Sequence, residues 1–283
     1  MKIVEGNEEV PVIYTAHHAS HDFADFNSRV ALSDEQKIRF SDYGSNLTVP
    51  LNGIAVIVAD KSRALGDLNR SPTDPDRFQT QDYAQPIRND IWKPNEGLSD
   101  LEKANCQRNF YEPFHQAIID KLKERDELTF VVAWDNTAHY LIGDYASGKT
   151  HLMKPFILSN RGGDNSPEAE SDEPTSCDPK FMRILAREFA VELGERGLPS
   201  QVLLNFVMKG GYICSQYSSL RNKDVLQKLG VMSEVQSLQL EYDTIITHDQ
   251  ITLLPKNDNI KAMREAFSKA IAKAVAEYSL VRD

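Results

Sequence analysis

Short apolar runs recur along the chain, each followed by a longer amphipathic stretch, and this alternation restricts the fold more than any other feature. The runs are Val12 to Ala16, Gly53 to Ala59, Leu128 to Trp134, Pro155 to Leu158, Gln201 to Val207 and Val235 to Tyr242. Each has the length of a strand, and a strand followed by an amphipathic helix is the repeating unit of an α/β domain. With 283 residues, one domain spanning 1–283 has enough chain to bury a substantial core. Neither an internal repeat nor a shift in composition marks a boundary within it.

The helices carry their own start signals. Ser33-Asp-Glu-Gln36 and Ser99-Asp-Leu-Glu102 are capping boxes, in which the serine and the residue three positions later satisfy first-turn N–H groups. The second predicts a helix to about Glu124. Asp178 before Pro179 reads as an N-cap with proline at the first helical position, opening a helix to roughly Arg196 that stops before Gly197. From Asn257 to Tyr278, Ile260, Met263, Phe267, Ile271 and Val275 recur at helical spacing and predict a core-facing stripe. Two polar stretches, 71–97 and 160–176, break the alternation. Loops of that length in a compact domain are functional lids or disordered segments, and both readings stay open.

A formal charge of −10 argues against nucleic acid or an anionic membrane as the main partner. Cys106, Cys177 and Cys214 are odd in number and far apart, as expected of free thiols in a reducing compartment. The opening MKIVEGNEEVPV is too acidic and too briefly apolar for a signal peptide, and no run approaches a membrane span. The expectation is a cytoplasmic protein acting on a small molecule. Self-assembly into a homo-oligomer stays open.

Potential chemistry gathers behind the strands, where α/β sheets bind their ligands. His17-His18-Ala-Ser-His21-Asp22 follows the first run. One such histidine usually lies in solvent or caps a helix, but three in five residues after a buried strand suit a metal that takes imidazole and carboxylate ligands. Asn69-Arg70, in Gly66-Asp67-Leu68-Asn69-Arg70, pairs an amide with a guanidinium fork suited to a substrate carboxylate, although a structural ion pair explains a lone arginine equally well. Asp135 and His139, in Trp134-Asp-Asn-Thr-Ala-His139, are candidates to ligate a metal or orient a ligand. Gly210-Gly211-Tyr212 precedes Leu238-Gln-Leu-Glu241, where Glu241 ends an apolar strand at a place suited to a general base. Gly143-Asp-Tyr-Ala-Ser-Gly148-Lys149-Thr150 has the spacing of a phosphate-binding loop. Its context fails: the apolar piece before it is only Tyr140 to Ile142, and Pro155 interrupts the helix that ought to follow.

Taken in order, His18-Ala19-Ser20, Ser41-Asp42-Tyr43-Gly44 and Asp67-Leu-Asn-Arg70 form the first half of a family pattern. Tyr111 with His115, Thr175-Ser-Cys-Asp-Pro179, Asn205, Gly210-Gly-Tyr-Ile213 and Leu238-Gln-Leu-Glu241 complete it. The chain resembles the N-formylglutamate amidohydrolase family along most of its length. The resemblance implies a phosphorylase/hydrolase-like fold of the zinc carboxypeptidase and aspartoacylase type, a mixed, mostly parallel sheet flanked by helices. It implies that His18 and Asp42 ligate a divalent metal, zinc first with manganese or iron as alternatives, and that Glu241 is the base. Asn69 and Arg70, with Arg161 and Arg221 as further candidates, would hold substrate carboxylates beside Gly210, Gly211 and Tyr212. Where the family carries a histidine after the third run, this chain has Asp135-Asn136. Asp135 then becomes the third ligand, with His139 as the alternative. The implied reaction is cleavage of the amide of an N-acyl amino acid, N-formylglutamate or a close analogue. A hydrolase of another acyl amino acid or small peptide, and a binding protein that has lost turnover, are the rivals.

Overall fold

A computed structural model describes residues 1–82, 89–137, 141–143 and 150–282. Seven strands form one sheet: β1 (Lys2–Glu5), β2 (Val12–Ala16), β3 (Ala55–Val58), β4 (Thr129–Thr137), β5 (Phe156–Ser159), β6 (Val202–Leu204) and β7 (Val235–Asp243). Their order is β1-β3-β2-β4-β7-β5-β6. The β3-β2, β2-β4, β4-β7 and β5-β6 pairs run parallel, while β1-β3 and β7-β5 run antiparallel. The domain is α/β with a mixed, mostly parallel sheet, as expected. β2, β4 and β7 lie at its middle, buried along almost their whole length, which is why these segments are continuous apolar runs.

Helices cover both faces. On one, α5 (Pro179–Glu195) packs against α8 (Asn257–Val281), and both pack with Tyr14, Trp134 and Leu240 from the sheet. On the other, α4 (Glu112–Lys123), α6 (Tyr212–Gln216) and α7 (Ser219–Lys228) belong to the cluster around Ile13, Val131 and Ala133. Both capping boxes form, at α1 (Asp34–Phe40) and α3 (Asp100–Cys106), with the single turn α2 (Ser45–Thr48) between them, and Asp178 caps α5 through the N–H of Lys180. Between α3 and α4 the helix widens into a π-turn at Gln107–Tyr111. Pro113 lacks the N–H that a regular α-helix needs there, and the widened turn absorbs the missing bond, so the helix continues to Lys123.

The structure departs from the sequence reading in several places. β1 pairs at the sheet edge although its residues carry little apolar patterning. The run Gln201 to Val207 is extended only over Val202–Leu204, because Asn205 and Val207 turn with φ of 49° and 60°. The stretch 71–97 holds a 3-10 turn at Pro75–Arg77 and a two-residue ladder, Gln81–Asp82 with Asn89–Asp90, among its described residues. Leu141–Gly143 pairs antiparallel with Thr150–Leu152. Thr150 is therefore on a strand and not at the start of a phosphate-binding helix. Residues 144–149 of the segment with phosphate-loop spacing, Lys149 among them, lie outside the described residues. No helix among those described is long and apolar enough to cross a membrane.

Candidate active site

Strand register assembles the site. In the parallel ladder Glu241 on β7 is paired with Asp135 on β4, and Thr15 on β2 with Ala133 two residues before Asp135. Side chains alternate along strands, so Asp135, Glu241 and Gln239 share one face while Trp134, Leu240 and Tyr242 enter the opposite core. His17 and His18 follow the carboxyl end of β2 directly.

His17, His18 and Asp135 are buried, and their donor atoms lie within 4.8 Å of one another; among the described residues this is the group able to hold a metal ion. Asp135 Oδ1 is 2.9 Å from His17 Nε2 and 3.4 Å from His18 Nδ1. The remaining ring nitrogens are occupied: His18 Nε2 meets Asp67 Oδ1 at 2.7 Å, and His17 Nδ1 is 3.5 Å from Thr15 Oγ1. Those outer contacts leave His17 Nε2 and His18 Nδ1 facing inward, the arrangement by which a metal-ligating imidazole is oriented. His17 Nε2 and Asp135 Oδ1 are buried without a hydrogen-bond partner despite their proximity. Unpaired buried polar atoms cost about 1–3 kcal/mol each, and a cation among them removes that cost. Two imidazole nitrogens and a carboxylate oxygen fit zinc, manganese or iron.

Charge around the group is finely divided. Asp67 accepts from Arg63 at 2.9 Å and from Gln79 at 2.8 Å on Oδ2. Although burial opposes its ionisation, Arg63 and His18 hold it well below the usual carboxylate range. Burial and the charge of Arg63 work against a proton on His18, but Asp67, Asp135 and Asp42 together raise its pKa. Burial and then Asp135 push Asp42 up to about 6. Burial, Asp135 and Asp42 raise Glu241 well above its ordinary value, against the opposing bonds from Thr137 and Gln239. Those bonds fix both of its oxygens: Thr137 Oγ1 donates to Oε2 at 2.9 Å and Gln239 Nε2 to Oε1 at 2.6 Å.

Asp42 is not one of the three convergent donors; its Oδ2 stands 3.6 Å from His18 Nδ1 and accepts from the N–H of Asn136. Asn69 and Gly211 join the site through Gln239, whose Oε1 accepts from Asn69 Nδ2 at 3.3 Å and from the Gly211 N–H at 2.8 Å. A Cβ at Gly211 would lie 2.3 Å from the Asn69 amide, so a larger residue there displaces that side chain from Gln239. Arg70 reaches toward Asp67 Oδ2 at 3.6 Å and bonds Asp74 at 3.3 Å, leaving its side chain 37% exposed. Tyr212 N donates to the Asn69 carbonyl. Arg161 bonds the Gly210 carbonyl at 2.9 Å. Arg221 is tied to Glu173 at 2.5 Å and to the Pro174 carbonyl, bonds that secure the 160–176 segment. His21 sits apart, its ring 5.9 Å from that of Tyr43. His139 lies outside the described residues. The reading missed Arg63, and it missed the part Gln239 plays. Gln239 had a signal, since strand alternation puts it on the face of Glu241; Arg63 had none.

The model of the family N-formylglutamate amidohydrolase matches residues 10–227. The chain belongs to the N-formylglutamate amidohydrolase family. A search of curated proteins returns no match. Among solved structures it is similar to the N-formylglutamate amidohydrolase of Ralstonia eutropha JMP134, with a TM-score of 0.67 and 18% identity over 99% of this chain and 98% of that one. It is also similar to a gene product of Agrobacterium tumefaciens, with a TM-score of 0.61 and 16% identity over 98% and 95%. At such identities these two likenesses concern the fold, and the match to the family model carries the membership.

Proposed function

We propose that the protein is a metal-dependent hydrolase of the amide bond in an N-acyl amino acid, N-formylglutamate first among them. The observation that carries this reading is the pairing of Glu241 with Asp135 on neighbouring parallel strands, which sets a buried carboxylate beside the His17, His18 and Asp135 donors. Family membership supports the substrate class. A divalent metal held by those three residues would polarise the acyl carbonyl and lower the pKa of water toward neutrality. Glu241 accepts a proton from the attacking water and delivers it to the amide nitrogen as the C–N bond breaks, leaving formate and a free amine. Its raised pKa suits both transfers. Thr137 and Gln239 keep its carboxylate aimed, and Gln239 also anchors Gly211 and Asn69. Arg70, the cation of the Asp67-Leu-Asn-Arg70 turn, with its side chain 37% exposed, grips the substrate α-carboxylate.

Formate release from N-formylglutamate, beside N-acetyl and N-succinyl amino acids, after loading with zinc, manganese or iron tests the reading. Glu241→Gln is expected to retain bound metal and lose roughly 10²- to 10⁴-fold in kcat. Failure of every metal-loaded form to hydrolyse any of these amides would leave a binding protein in place of an enzyme.

A further inference from the structure

A cleft opens from the reaction centre, sharing Asp42, Arg63 and Thr137 with it. One wall is the end of α1 and the turn after it, through Tyr43; the other is the segment from Thr244 to Leu253. That second wall lies beyond residues 10–227, so the family match does not account for it. Two side chains in these walls have unspent hydrogen-bonding capacity. Arg39 bonds Glu35 Oε1 through Nε at 3.0 Å, and its Nη2 lies 2.9 Å from the same oxygen while donating to the Gln250 carbonyl at 3.0 Å. A guanidinium carries five N–H donors, and no bond from its other terminal nitrogen is found among the described residues. Glu35 is 63% exposed, so its hold on Arg39 is screened by solvent and easily exchanged for a ligand. His248 is 3% exposed. Its Nδ1 is 3.0 Å from Thr247 Oγ1, while Nε2 is buried with no partner. Burial, and then the charge of Lys256, lowers its pKa.

A formyl group is too small to need such a cleft, whereas the side chain of the acylated amino acid does need a place. We propose that the cleft is the side-chain subsite, in which Arg39 pairs with a distal carboxylate, His248 lines the wall beside it, and the two select acidic N-acyl amino acids over apolar ones. This rests on the hydrolase reading above and adds to it the residues that set specificity.

The test compares kcat/KM for N-formylglutamate and N-formylleucine in metal-loaded parent, Arg39→Ala, Arg39→Lys and His248→Phe proteins, with thermal melts to verify folding. The glutamate-to-leucine ratio is expected to fall at least tenfold in Arg39→Ala, through KM, and to recover in part in Arg39→Lys. A ratio that stays within twofold of the parent in Arg39→Ala overturns the proposal. Calorimetric binding of glutamate and leucine to the same proteins separates the two failures. A parent that hydrolyses nothing yet prefers glutamate, and loses that preference in Arg39→Ala, defeats the hydrolase reading and upholds the subsite. Equal preference in parent and variant defeats the subsite.

Discussion

Asp67 is the residue that most orients the candidate metal group without belonging to it. It is 1% exposed and accepts from Arg63, Gln79 and the N–H of Asn69 while holding His18 Nε2. Asp67→Asn keeps the shape and removes the charge, and the loss of such an outer partner is expected to weaken metal binding about 10- to 100-fold. Competition with a chromophoric chelator measures this, and unchanged affinity would count against His18 as a ligand. Gly44 makes a second residue-scale prediction. It has φ of 74°, and a Cβ there would lie 2.4 Å from His248 Nε2. Gly44→Ala is expected to lower stability by about 1–3 kcal/mol, from left-handed backbone strain and displacement of the imidazole. A chemical denaturation series checks it, and an unchanged midpoint would show that neither the backbone strain nor the imidazole contact limits stability.

At the scale of elements, the helical layer formed by α5 and α8 is clamped by one buried carboxylate. Glu192, 2% exposed, meets Arg196 and Lys273 at 2.6 Å each. Burial alone would raise its pKa, but Lys273 and Arg196 outweigh it and the net shift is downward. A depressed folded-state pKa contributes stability that is present above the unfolded value of about 4.3 and lost as pH falls through the folded value. Glu192→Gln should therefore narrow its stability gap to the parent as the pH is lowered below about 4, and cost about 1–3 kcal/mol near neutrality. Unfolding curves at several pH values test this; a gap that does not change with pH would mean the clamp acts by packing alone. The same scale explains why helix starts were legible. Ser33, Ser99 and Asp178 act on N–H groups two or three residues away, so the sequence neighbourhood contains the whole interaction. The turn at Asn205 was not, because its side chain bonds Asn160, 45 positions earlier.

Taken as a whole, the molecule brings its candidate metal donors together across the sheet, from the ends of β2 and β4, so an ion bound there would link ligand binding to folding. Zinc at 100 times its dissociation constant is expected to stabilise the fold by about 2.7 kcal/mol, read as a rise in Tm. His17→Ala should abolish that increment, and a rise that survives would place the ion elsewhere. The sequence alone determined the α/β class, the central strands β2, β4 and β7, the capped helices and the candidacy of His18, Asp135 and Glu241, because periodicity, caps and strand ends are local patterns. Tertiary structure decided which donors converge. It brought in His17 as a partner of His18 and Asp135, put Asp42 at the margin of the group, drew Arg63 to Asp67, and tied Arg221 to Glu173. Those outcomes depend on the register between strands far apart in the chain and on which charges share a buried space, and neither is written in the spacing of residues.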